Sequence, residues 1–80
     1  MKAYIHLETK PGSAIKVINR MKENKNVISA DAVFGRFDAI LTIEVAGLSD
    51  IDQLVYTVIQ SDPNVTRTET SIVLELKDQK

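Results

Sequence analysis

The sequence contains no cysteine and a single histidine, and these two shortages remove whole classes of chemistry. Without cysteine there is neither a disulfide framework nor a thiolate metal site. His6 has no partner at a ligand-like spacing, so it reads as a sheet-surface residue rather than a metal ligand or a base. Charge of one sign is missing too. Ten basic and eleven acidic residues give a formal net charge of −1, spread along the chain, whereas phosphate neutralisation needs a concentrated basic face. No apolar run approaches the ~20 residues of a membrane span. The expectation is a soluble, cytoplasmic chain with no metal, no cofactor and no direct nucleic-acid contact. Eighty residues make one domain, and a chain of this size buries only a little more than about 60% of its unfolded surface. With no covalent staple, oligomerisation is the expected supplement to a small core.

What is present is alternation and helical periodicity. Residues 2–8 place Ala3, Ile5 and Leu7 on one side and Lys2, Tyr4, His6 and Glu8 on the other, the period of a half-buried strand. Pro11-Gly12 interrupts it, and Ala14, Val17, Ile18 and Met21 then recur at three- and four-residue steps. This spacing predicts an amphipathic helix with a proline near its first turn, ending at residues 24–26. Two runs rich in β-branched and aromatic residues, 27–34 and 37–46, flank Gly35-Arg36 and predict a tight hairpin. Ser49, three residues before Asp52, resembles a capping box and predicts the start of a second helix. Ile51, Leu54, Val55, Val58 and Ile59 form its apolar face. Residues 61–64 read as a turn, 65–76 as a last strand, and 77–80 as a polar tail, frayed at 79–80.

The predicted order β-α-β-β-α-β is the ferredoxin-like α+β arrangement, a four-stranded antiparallel sheet with both helices on one face. The other face stays bare. Strand two is expected to put Ile28, Ala30, Ala32 and Phe34 on one side and Val27 and Val33 on the other, and strand three sets Ile40 opposite Leu41 and Ile43. Two apolar faces predict a second copy packed sheet to sheet, since a large exposed apolar patch is a liability for a small monomer.

Chemistry concentrates at Gly35-Arg36-Phe37-Asp38. Glycine permits close backbone approach, arginine offers a carboxylate fork, phenylalanine a π face, and aspartate an acceptor for an ammonium group. Each has a plainer use: a hairpin glycine, a solvated loop arginine, a packed ring, an aspartate bonded to its own backbone. Thr68 and Thr70 share one face of a strand and set two hydroxyls side by side, although β-propensity alone explains two threonines. Asp50 and Asp52 suit a helix start.

These residues carry a resemblance. Pro11-Gly12, Val33-Phe34-Gly35-Arg36-Phe37-Asp38, Leu41-Thr42-Ile43-Glu44-Val45 and Val65-Thr66-Arg67-Thr68-Glu69-Thr70 followed by Ile72-Val73-Leu74 are similar to the effector-binding (RAM) domain of the leucine-responsive regulator (Lrp/AsnC) family, in its stand-alone form. The resemblance covers essentially the whole chain, 1–80. It implies a dimer of ferredoxin-like subunits that assembles further, commonly into a ring of dimers, with a small effector, usually an amino acid, held where dimers meet. Carried over by position, the ligand-binding candidates are Gly35, Arg36, Phe37, Asp38, Thr68 and Thr70. Tyrosine is frequent in the family where Phe37 stands, so a phenol hydrogen bond to ligand is lost here. Full-length members carry an N-terminal helix-turn-helix domain, and this sequence opens at the first strand of the effector domain. The resemblance therefore implies a non-enzymatic regulatory domain that acts through a full-length relative or as an amino-acid sensor. Two alternatives use the same scaffold. A small dimeric αβ-barrel enzyme would need an acid or base such as His6 or Tyr4 facing a cavity, and a structural oligomerisation module would need no cavity.

Overall fold

The computed structural model describes residues 1–75. Strand β1 (Lys2–Thr9), helix α1 (Ala14–Met21), strands β2 (Val27–Ala32) and β3 (Ala39–Glu44), helix α2 (Leu48–Leu54) and strand β4 (Val65–Ile72) follow in the expected order. The strands form one sheet in the order β2-β3-β1-β4, with every pairing antiparallel. Leu76, expected in the last strand, and the tail at 77–80 lie outside the described residues.

Pairing assigns the faces. Ala3, Ile5 and Leu7 stand opposite Ile43, Leu41 and Ala39, and all six are wholly buried. Cross-strand partners share a face, so these residues form the floor of the core. Val17, Ile18 and Met21 of α1 and Ile51 and Leu54 of α2 cover it. Both helices therefore lie on one side of the sheet. β4 scarcely takes part, since none of its eight residues is buried and only Val65 packs against the core cluster.

Local signals set the helix starts, and two of them differ from expectation. Before α1, the Ser13 N–H donates to the Lys10 carbonyl at 3.1 Å. Pro11 and Gly12 (φ +78°) occupy the middle of this turn, the pattern of a type II turn. α2 is capped two residues earlier than Ser49: the Asp50 carboxylate accepts the Gly47 N–H at 3.0 Å, and Gly47 is the capping residue. Ser49 and Asp52 lie inside the helix. α2 then runs into a π-helical turn, Val55–Ile59, closed by a 2.7 Å bond from the Gln60 N–H to the Val55 carbonyl. The wider turn keeps Ile59 in the core, five residues after Leu54.

The edge strand β2 departs from simple alternation. Its register shifts between Val27, opposite Ile43, and Ser29, opposite Thr42. A β-bulge inserts one unpaired residue and resets the alternation. Val27 thus shares the core face with Ala30 instead of opposing it, and Ile28 is left 60% exposed. The open face is accordingly more polar than expected. On it the pairing sets Tyr4 and Ser29 beside Thr42, and His6 and Asp31 beside Ile40.

Candidate functional site

The segment between β2 and β3 is a loop over residues 33–38, not a two-residue turn: β2 stops at Ala32 and β3 begins at Ala39. The Val33 N–H donates to the Asp38 carbonyl at 3.0 Å and closes it. Asp38 is also tied to β1 on its other side. Its N–H donates to the Leu7 carbonyl at 2.8 Å, and its Oδ2 accepts the Thr9 N–H at 2.8 Å and lies 3.4 Å from the Thr9 hydroxyl. The carboxylate extends the β1–β3 ladder by one rung. Gly35 within the loop has φ +152°, a backbone state that side-chain-bearing residues seldom adopt.

With Asp38 fixed, Phe37 lies against the open face of the sheet and is only 7% exposed. Its ring centroid lies 5.3 Å from that of His6. Two guanidinium groups share the same ring: the Cζ of Arg67 is 4.9 Å from its centroid and that of Arg36 is 5.9 Å away. Both distances fall within the reach of cation–π attraction. His6 is further positioned by its Nδ1, 3.2 Å from the Glu69 carbonyl of β4. Phe34, in contrast, stands fully exposed at the loop tip.

Thr68 and Thr70 pair with Leu7 and Ile5, which places them on the helix side of the sheet. The Thr68 hydroxyl accepts the Gln60 amide at 3.1 Å. It borders a cleft of about 170 Å³ lined also by Val65, Thr66 and Arg67. One subunit therefore groups Arg36 and Phe37 with Arg67 on one face and presents Thr68 and Thr70 on the other. Arg67 touches both regions. Sequence reading gave it no role of its own, although alternation offered one: Arg67 directly precedes Thr68, which faces the helices, so it stands on the opposite face, across from Glu8 and on the side that carries His6.

Among the described residues no group of three or more His, Cys, Asp or Glu side chains is placed to hold a metal ion. No helix among them is long and apolar enough to cross a membrane. The strongest ion pair lies apart from the loop. Arg20 of α1 grips Asp62 through two 2.8 Å bonds, Nε to Oδ2 and Nη2 to Oδ1. Those bonds hold the nearly buried carboxyl below the usual carboxylate range against the opposing effect of burial, helped by the Asn64 amide.

A four-stranded antiparallel sheet backed on one face by two helices, with a constrained polar loop at one end, defines an α+β domain of ferredoxin-like architecture. The family model for the Lrp/AsnC ligand binding domain matches residues 2–80, and the chain belongs to that family. No curated protein matches the chain. Among solved structures it is similar to FFRP-DM1, at 29% identity and TM-score 0.87, over 91% of this chain and 97% of that one. It is also similar to PHS023 from Pyrococcus horikoshii, at 29% identity and TM-score 0.85, over 92% and 90%. The transcriptional regulator NMB0573 from Neisseria meningitidis, solved as a complex with L-Met, shares the fold at 19% identity and TM-score 0.84. There 98% of this chain covers 52% of the regulator, about half its length.

Proposed function

We propose that this protein is a non-enzymatic, amino-acid-binding regulatory domain that works as an assembly of copies, with Gly35, Arg36, Phe37, Asp38, Thr68 and Thr70 forming the effector site. The observation that carries the reading is the hairpin loop. It holds a positive-φ glycine, a carboxylate fixed to β1 and an aromatic ring flanked by two arginines, in a chain of a ligand-binding family. A loop ordered by such bonds meets a ligand without a large ordering cost.

The two threonines face away from the loop within one subunit, so a second copy is needed to bring a Thr68–Thr70 edge to a hairpin. β4 favours such a contact. It is an edge strand with no buried residue and with Ile72 42% exposed, and unpaired edges of this kind invite another chain. Co-assembly with a full-length regulator would then couple effector binding to transcription. The helix–sheet interior is aliphatic, and its buried Asp62 is committed to Arg20, which favours binding over an αβ-barrel enzyme.

The test is a thermal-shift screen of the twenty amino acids with light scattering on the same samples. A ligand of the native assembly at a hundredfold excess over its Kd adds about 2.7 kcal/mol of apparent stability. Stabilisation by one or a few amino acids, lost in Thr70→Val and Arg36→Gln, is the expected result. A flat response to all twenty from a stable assembly would instead support the purely structural module.

A further inference from the structure

Arg36 and Arg67 converge on Phe37 from positions 31 residues apart in the sequence, and both side chains are exposed. Among the described residues neither forms an ion pair; the pairs present are the Met1 amino group with Glu44 and Arg20 with Asp62. The acids nearest in register, Glu8 and Glu69, do not come within ion-pair distance of either guanidinium. Glu8 stands opposite Arg67 in the β1–β4 ladder, yet its Oε1 accepts the Thr66 hydroxyl at 3.1 Å. Glu69, on the same face as Arg67, meets His6 through its backbone carbonyl. Asp38 has Oδ2 committed to Thr9, and no hydrogen bond among the described residues engages its Oδ1.

Two guanidinium groups beside one ring repel each other, and an anion between them reverses the sign of that term. Each presents a planar fork that matches a carboxylate. The free Oδ1 of Asp38 lies in the same loop, suited to an ammonium group. We propose that the effector is a dicarboxylic amino acid, whose two carboxylates are received by Arg36 and Arg67 and whose ammonium faces Asp38. The inference rests on the amino-acid-binding reading and narrows it. Arg67 becomes the residue that sets specificity. A neutral amino acid has one carboxylate and leaves one of the two guanidiniums without a partner.

Calorimetric titration of the full chain with L-glutamate, L-aspartate, L-glutamine, L-asparagine and L-methionine tests this, because acid and amide differ in charge and hardly in shape. One of the acids should bind roughly 10- to 100-fold more tightly than its amide, the value of one charged contact. Arg67→Gln should erase that preference while leaving affinity for the amide nearly unchanged, and Arg36→Gln, at the loop tip, provides a second variant. An amide or methionine that binds as well as the acids overturns the inference and leaves the amino-acid reading standing. A carboxylate from a second copy would satisfy the same arginines. In that case Arg67→Gln lowers the assembly mass without altering any acid-over-amide preference, which also overturns it. Failure of every amino acid to bind removes both readings.

Discussion

Asp38 has one carboxylate oxygen in the architecture and one that no hydrogen bond among the described residues engages. Because Oδ2 takes the Thr9 N–H at 2.8 Å, Asp38→Ala leaves a partly buried donor unpaired. It should destabilise the fold by about 1–2 kcal/mol, read from the urea midpoint, and Asp38→Asn, which retains an acceptor oxygen, by less. Binding variants are therefore better placed at Arg36 or Thr70. Gly35 presents the opposite situation. A Cβ there would meet nothing within 4 Å, so Gly35→Ala should cost about 1 kcal/mol or more from its positive φ alone. The sequence identified both residues but not their partners. The residue that holds Asp38 is Thr9, 29 positions away, and nothing local announces it. Arg67 went unnoticed for a related reason, since its importance comes from a ring brought to it by the sheet.

At the scale of elements, strong periodicity was legible and irregularity was not. The alternation of Ala3, Ile5 and Leu7 and the spacing of Val17, Ile18 and Met21 placed β1 and α1 closely. The bulge at Ile28 and the loop at residues 33–38 carry the same β-branched and aromatic residues as regular strands, so composition extended both strands too far. The start of α2 was misplaced because Ser49 and Asp52 mimic the pair that Gly47 and Asp50 form. Asp50→Ala should accordingly weaken that helix start by about 0.5–1 kcal/mol, and Asp52→Ala should have little effect. The Arg20–Asp62 clip predicts an acid-sensitive stability. The folded Asp62 carboxyl titrates below its unfolded value, and an unfolded aspartate titrates at about 3.9, so its contribution is complete above that unfolded value. It is lost as the pH falls through the folded one. Chemical denaturation across the acid range should show a loss of stability there, and Asp62→Asn should flatten that limb.

For the whole molecule, the distribution of burial argues for assembly. One face of the sheet is covered by the helices, the other carries a buried phenylalanine between two arginines, and β4 extends away from the core with Thr70 and Ile72 exposed. The second face is less apolar than the residues of strands two and three suggested, because the bulge in β2 puts Ser29 and Asp31 beside Thr42 and Ile40. In the proposed assembly, the surfaces offered to a second copy are the β4 edge, the exposed Phe34 and the polar open face. Light scattering should return a mass of at least two copies, and Ile72→Lys, which places a charge on the exposed strand, should lower it.

The central claim is that hairpin and β4 together hold an amino acid. Hydrogen exchange followed by mass spectrometry, with and without the best-stabilising amino acid, tests it most directly, since bound ligand suppresses local opening where it sits. The account predicts new protection in residues 33–38 and 66–70, with the α1 and α2 segments unchanged. Protection confined to the helices, or none at either segment despite saturating ligand, would contradict it.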